Sequence, residues 1–330
     1  MGIALTQEQR DLAAAVREFT EAQAPVAQTR AAFDTLAEGS LPAVWEAVRA
    51  QGYLGIALPE SAGGDGGGVT ELAVLLEEAA RGLLPGPLLP TVLTSLAVSR
   101  FGPAALLPAF AGGASAGCVT VPGGLQAVPA DGGWQVSGTS APGPGVLSGQ
   151  YLLLGAQGPD GDVWFVTPSD QAGTLKTEKA DGVDLTRDIG TVTLAGHQVP
   201  ASQVLAVSTA ELRGLMAALF AAEAAGVARW CQQAGLAYVK VREQFGRPVG
   251  SFQAIKHKCA RIFAQVELLT AAAWDAASAT AQGGDQAAFA AAAAAVACLP
   301  TAVDLALDTV TLFGGIGYTW EHDEIGRAHV

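Results

Sequence analysis

The sequence predicts an α+β fold, mostly helical: an N-terminal helical domain (1–113), a small middle β domain (114–206) and an incomplete C-terminal helical bundle (207–330). Three observations carry this reading. Apolar residues recur at helical spacing at both ends of the chain. Between them the period gives way to short β-rich runs cut by Gly, Pro and Asp. Finally, 330 residues are too many for one small core and suit two or three packed units.

The elements follow in order. Thr6 with Gln9 makes a capping box, and Leu12, Val16 and Phe19 continue at helical spacing. A second helical run surrounds Trp45, and the apolar segment Tyr53 to Leu58 is closed by Pro59 and the glycines from Gly63 to Gly68. Helix resumes from Thr70 to Arg81, and Pro85, Pro87 and Pro90 end it. Between Cys118 and Leu205, runs starting at Trp134, Tyr151, Val163 and Thr191 read as strands.

From Thr209 a helix is expected to reach Gln244, stop at Gly246 and turn through Arg247-Pro248. Ser251 then serves as N-cap of a helix whose stripe, Phe252, Ile255, Cys259, Ile262, Phe263, Val266 and Leu269, faces a core. Gly283-Gly284 break it, Asp285 caps a third helix, Pro300 kinks that helix and Gly314-Gly315 end it. Long helices joined by short turns make an antiparallel bundle.

Composition bounds the function. Half of the residues are apolar and 15% charged, which supports extensive burial. A net charge of −13 argues against wrapping nucleic acid, although a few local Arg and Lys residues suffice for a small anion. Cys118, Cys231, Cys259 and Cys298 form no CxxC pair and have no matching His spacing. No metal site or disulfide framework is expected, and reduced thiols fit a cytoplasm. The polar N-terminus does not read as a signal peptide, and the alanine-rich run from Ala287 to Val303 reads as a buried helix, not a membrane span.

Three segments resemble the acyl-CoA dehydrogenase family. They are Gly52-Tyr-Leu-Gly-Ile-Ala-Leu-Pro-Glu60 with Gly63-Gly64, then Arg242-Glu-Gln-Phe-Gly-Arg-Pro-Val-Gly-Ser-Phe-Gln253 with His257, then Phe313-Gly-Gly-Ile-Gly-Tyr-Thr-Trp-Glu-His-Asp323. Their order and separation match the family along nearly the whole chain. The resemblance implies an FAD-linked enzyme of acyl-CoA oxidation that passes electrons to an external acceptor. It also implies that Arg242, Phe252 and Gln253 contact FAD bound largely by a neighbouring subunit, with Gly314 and Gly315 letting backbone approach the cofactor. An arginine beside a helix N-terminus suits a diphosphate, since both offer N–H donors and positive potential. His257, Glu321 and the Asp184-Leu-Thr-Arg187 segment are read as structural.

The chain departs from the family where chemistry is concentrated. The family's proton-abstracting Glu lies, in most members, beyond the last motif; in a minority it lies on the helix leading to Arg242. Spacing puts Met216 at that second position, and Glu211 and Glu223 one to two turns away, so no catalytic base is named. In the β domain, Thr120-Val-Pro-Gly-Gly124 and Gly138-Thr-Ser-Ala-Pro-Gly-Pro-Gly145 stand where the family has flavin-contacting motifs, and Thr311 replaces a glutamine. The pattern resembles one subunit of the heteromeric acyl-CoA dehydrogenases of actinobacterial steroid catabolism. In those, two related chains share each FAD site, and one partner supplies the base in a heterotetramer. The alternative is a catalytically silent structural subunit that completes a partner's FAD site. The final seven residues, Glu324 to Val330, are too short and polar for the family's next helix, so the expectation is a truncated C-terminus that is loosely packed.

Overall fold

The computed structural model describes residues 5–119 and 121–319, and its elements run helices, strands, helices. The first group is α1 (Gln7–Gln23), α2 (Val26–Ala31), α3 (Phe33–Ala37), α4 (Trp45–Ala50), α5 (Val69–Arg81), α6 (Leu88–Phe101) and α7 (Leu107–Ala111). The strands are β1 (Ala116–Cys118), β2 (Leu125–Ala130), β3 (Gly133–Thr139), β4 (Gly143–Pro144), β5 (Tyr151–Gly158), β6 (Gly161–Pro168), β7 (Leu175–Lys179) and β8 (Ile189–Pro200). Then come α8 (Thr209–Val241), the short strands β9 (Glu243–Gln244) and β10 (Arg247–Pro248), α9 (Gln253–Gln282) and α10 (Asp285–Phe313). The mostly helical α+β fold class is the one the chain adopts. Glu324 to Val330 and Glu321 lie outside the described residues.

Two compact units form, one from residues up to 30, 73–84 and 217 onward, the other from 31–72 and 85–216. The second holds the mixed sheet, in the order β1-β5-β2-β3-β8-β4, with β6 on β5 and β7 on β8. Its core is built from alternate residues of several strands, among them Val136, Leu152, Leu154, Phe165 and Val192. Glycines close its turns. A Cβ on Gly64 would sit 2.4 Å from the Leu58 carbonyl oxygen, and one on Gly143 would sit 2.1 Å from that of Cys118. Gly64 and Gly67 are therefore dictated by backbone packing, the second with its Cβ position 2.8 Å from Ile56 O, and Gly66 N–H donates to Leu58 O at 2.8 Å. The glycine-rich run at 138–145 likewise forms β4, which pairs with Gly190 and Ile189.

The other unit contains α1, most of α8, α9 and α10. The Thr6–Gln9 capping box forms in both directions, at 3.1 and 3.0 Å. On α9, Ile262, Val266 and Leu269 are buried as the stripe requires. Phe263 is not; it is 54% exposed, because it stands one position round the helix from Ile262. On α10 the buried face is Ala290, Ala294, Cys298, Ala302 and Leu305, mostly small residues that let helices approach closely. Its other face leaves a row of large apolar side chains in the open: Phe289, Val296, Leu299, Val303 and Leu307.

Several boundaries differ from expectation. α8 ends at Val241, since residues 243–248 form a hairpin instead of a last helical turn. Phe252 is the N-cap of α9, and Ser251 lies in the preceding 3-10 turn with its hydroxyl buried and unpartnered. Gly284 caps α10, so Asp285 is its first residue and acts on the helix dipole without a capping bond. α10 runs through Pro300. Pro90 does not end a helix; it sits in the first turn of α6, where its missing N–H costs nothing. The stretches Thr209–Val241 and Asp285–Tyr318 are long and apolar enough to cross a membrane; 61% of the most apolar window is buried in the first and 39% in the second.

Candidate cofactor-binding site

The Arg242–Gln253 segment folds back on the end of α8. Val249 N–H donates to Arg242 O at 2.7 Å, and a Cβ on Gly250 would meet Val239 O at 2.8 Å. β9 and β10 form a hairpin whose two-residue turn, Phe245-Gly246, has both φ angles positive, 55° and 75°, as a type I′ turn demands. A phenylalanine in that conformation is strained, and here it is also 91% exposed. Its ring meets Phe252 edge-on at 6.1 Å, and the Arg247 guanidinium lies 4.2 Å over the Phe252 ring.

Charge gathers at this end. Six of the chain's eighteen Lys and Arg lie between Lys240 and Arg261, with Glu243 the one acid in that span. Lys258 and Arg261 share Asp308 on α10, at 2.6 and 2.5 Å, which offsets one of their two charges. The Arg242 side chain is exposed and makes no hydrogen bond or ion pair with any described residue. The first turn of α9 has no acidic residue and no side-chain cap. Its N–H groups and the Arg242 guanidinium are thus donors without protein acceptors, which is what a diphosphate requires. Gln253 donates from its amide to His257 Nε2 at 2.8 Å, which fixes the orientation of both exposed side chains.

Gly314 and Gly315 end α10. Gly314 has φ of +66°, and a Cβ on either glycine would meet no described residue within 4 Å. No described side chain covers the backbone there. The ring of Phe313, just before them, packs at 4.8 Å on Tyr238, whose carbonyl accepts the Arg242 N–H at 2.9 Å. One aromatic contact therefore ties the glycine turn to the helix that carries Arg242. All five residues expected at the site, Arg242, Phe252, Gln253, Gly314 and Gly315, belong to one unit.

Of the two carboxylates nearest the expected base position, Glu223 is half-buried on α8 and Glu211 closes the start of that helix. Met216 is buried. Glu211 accepts from Ser208 Oγ at 2.6 Å and from Ser208 N–H at 3.1 Å, closing the start of α8. Those bonds hold its carboxyl below the ordinary range, the opposite of an activated base. Among the described residues no group of three His, Cys, Asp or Glu could hold a metal.

Comparison with known proteins decides the family. Models of the acyl-CoA dehydrogenase N-terminal and C-terminal domains match residues 6–112 and 212–330. The chain belongs to the acyl-CoA dehydrogenase family. It is 39% identical over 284 residues to acyl-CoA dehydrogenase FadE34 of Mycobacterium tuberculosis, covering 84% of this chain and 38% of that one. The chain thus spans well under half the length of that relative. With acyl-CoA dehydrogenase IpdE2 of Mycolicibacterium smegmatis it shares 28% identity, over 97% of this chain and 90% of the other. Among solved structures, a variant of the "Tcur3481-Tcur3483 steroid ACAD" superposes with a TM-score of 0.89 at 31% identity, covering 98% of this chain and 91% of the other. The ChsE4-ChsE5 complex from Mycobacterium tuberculosis gives 0.91 at 25% identity, covering 100% and 93%. Of these, the first structure is named a steroid acyl-CoA dehydrogenase and the second a complex of two chains.

Within this dehydrogenase fold, the residues the sequence underrated are Phe245 and Arg247. A Phe-Gly pair is not a usual turn signal, so nothing in composition marked Phe245 as strained and outward-facing. The Asp184–Arg187 segment proves structural, as expected. Arg187 pairs with Asp184 at 2.8 Å, and Thr186 donates to Asp184 from its N–H and its hydroxyl.

Proposed function

We propose that this chain is one subunit of a heteromeric, cytoplasmic acyl-CoA dehydrogenase that shares an FAD site with a homologous partner. The observation that supports it is the unpaired Arg242 guanidinium beside the uncapped α9 N-terminus. Arg242 and the first-turn N–H groups would hold the diphosphate, with Phe252, Gln253, Phe245 and the Gly314-Gly315 turn lining the site. FAD bound there would supply a hydride acceptor for α,β-dehydrogenation of an acyl-CoA thioester, with an external electron carrier as the final acceptor. The proton acceptor is assigned to the partner, because Met216 fills the expected position and Glu211 is spent as a helix cap. The exposed apolar row on α10 suits burial against that partner. The likeness to the Tcur3481-Tcur3483 steroid acyl-CoA dehydrogenase and to the ChsE4-ChsE5 complex supports a heteromer, and the first of these supports a bulky steroid-derived acyl group.

The test is to express the chain alone and with a homologous partner, and to record flavin absorbance and acyl-CoA-dependent reduction of an electron acceptor. The expected result is FAD and turnover in the pair, and little or no turnover by the chain alone. Robust turnover by the single chain would overturn the reading. A second reading, a catalytically silent subunit that only completes a partner's site, is favoured by the use of Glu211 as a cap. It predicts that every substitution in this chain alters flavin retention and none alters the chemical step once flavin is saturating.

A further inference from the structure

Glu77 and Glu78 on α5 centre a charge cluster that the cofactor site does not use. Arg17 on α1 grips Glu78 through Nε at 3.1 Å and Nη2 at 2.7 Å, and Arg81 adds a contact at 3.1 Å. Arg229 on α8 donates from Nε to Glu77 at 3.0 Å and from Nη2 to Thr270 at 3.1 Å. Trp274 Nε1 donates to the other oxygen of Glu77 at 2.9 Å. Both carboxylates are buried, with side chains 9% and 8% exposed, whereas Arg17 and Arg229 remain 45% and 27% exposed.

That asymmetry arises because the guanidiniums line a cavity of about 480 Å³. Its charged lining is Arg10, Arg17, Arg81 and Arg229 against Glu77 and Glu78, so this hollow is locally positive in a chain of net charge −13. A guanidinium carries five N–H donors in one plane. Among the described residues, Nη1 of Arg17 and Nη1 of Arg229 have no protein acceptor. Two arginines already held in place by buried carboxylates, with donors left over and room in front of them, are a preorganised receptor for a planar or tetrahedral anion.

We propose that this cavity binds a small oxyanion, a carboxylate or a phosphate, through the remaining N–H groups of Arg17 and Arg229. Glu77 and Glu78 are positioning residues that orient the two guanidiniums. No residue of the cofactor hairpin takes part.

The experiment is calorimetric titration of the full chain with inorganic phosphate and, separately, with malonate, at constant ionic strength and with chloride as reference. Saturable binding of either anion, with a rise in thermal midpoint, is expected, and the stronger of the two identifies the class. Arg17→Lys combined with Arg229→Lys keeps a positive charge on each glutamate but removes the planar donors, and should weaken binding about tenfold or more. Should that variant fail to fold, Ala14→Glu, on an exposed position of α1 that lines the cavity, introduces a competing carboxylate and should abolish binding. The proposal is overturned if chloride shifts the midpoint equally, or if Ala14→Glu binds phosphate and malonate like the unaltered chain.

Discussion

Two segments of this chain look alike as sequence and behave oppositely as structure. Asp184–Asp188 and Arg242–Gln253 are both polar, both contain an arginine and both resemble family motifs. In the first, polar atoms are turned inward. Asp188, 2% exposed, accepts from the Leu147 N–H at 2.7 Å, the Ser148 N–H at 3.3 Å and the Ser148 hydroxyl, while Asp184 is held by Arg187 and Thr186. In the second, Arg242 and the α9 N-terminus have donors and no acceptors among the described residues. The difference teaches that hydrogen-bond accounting separates a segment satisfied within the fold from one that leaves donors available to a ligand.

The largest effect should come from breaking the inward segment. Asp188→Ala leaves buried donors without partners and should cost about 2–4 kcal/mol in urea unfolding. A cost below about 1 kcal/mol would show that the segment is not satisfied internally. Next in size, Arg242→Ala in the assembled protein should weaken FAD retention by roughly 1.5–3 kcal/mol and leave the urea midpoint of the flavin-free chain unmoved. A fall in that midpoint would erase the contrast, since it would make Arg242 structural too.

A third prediction uses pH. Burial pushes His197 below the ordinary histidine range, with both ring nitrogens bonded to the hydroxyls of Thr167 and Thr174 at 3.1 and 2.9 Å. The unfolded chain then binds a proton at a pH where the folded one does not, so the unfolded state gains as pH falls. Stability should be flat in this respect above the ordinary pKa of about 6.5 and decline below it by up to about 1.4 kcal/mol per pH unit, until the folded value is reached. Titration of the His197 ring by NMR with a midpoint at or above its ordinary value would sink this. The smallest effect belongs to Phe245. Phe245→Asn relieves a positive φ in a type I′ turn and should stabilise by about 0.5–1 kcal/mol while weakening FAD retention. Stabilisation without any loss of flavin would remove Phe245 from the site.

Much of the fold was legible. Period and punctuation located the strands at Trp134, Tyr151, Val163 and Thr191 and the breaks at Gly283 and Gly314, because these depend on local chemistry. The buried Ile262, Val266 and Leu269 followed from helical spacing, whereas Phe263 did not, since one large apolar residue too many was drawn into the stripe. Ser251 failed as a cap for a tertiary reason. The hairpin forces a 3-10 turn at 249–251 that aims its hydroxyl inward. The arginine-lined hollow around Glu77 was invisible, as it assembles residues from four helices that are far apart in sequence. Which arginines keep spare donors is likewise a property of packing.

The Asp308 contacts have a kinetic consequence. By offsetting one of the two charges on Lys258 and Arg261 they leave Arg242, Arg247, Lys256 and one further positive charge as the local attraction for an anion, set against a whole-chain charge of −13. At low ionic strength the far field repels an approaching diphosphate, and the near field captures it only after that barrier is crossed. Salt at about 0.1 M shortens the screening length to about 10 Å, which removes the distant repulsion before it weakens contacts made at the hairpin. Association of such an anion should therefore quicken as salt is first added and slow only at higher concentrations, the reverse of ordinary electrostatic steering at its outset.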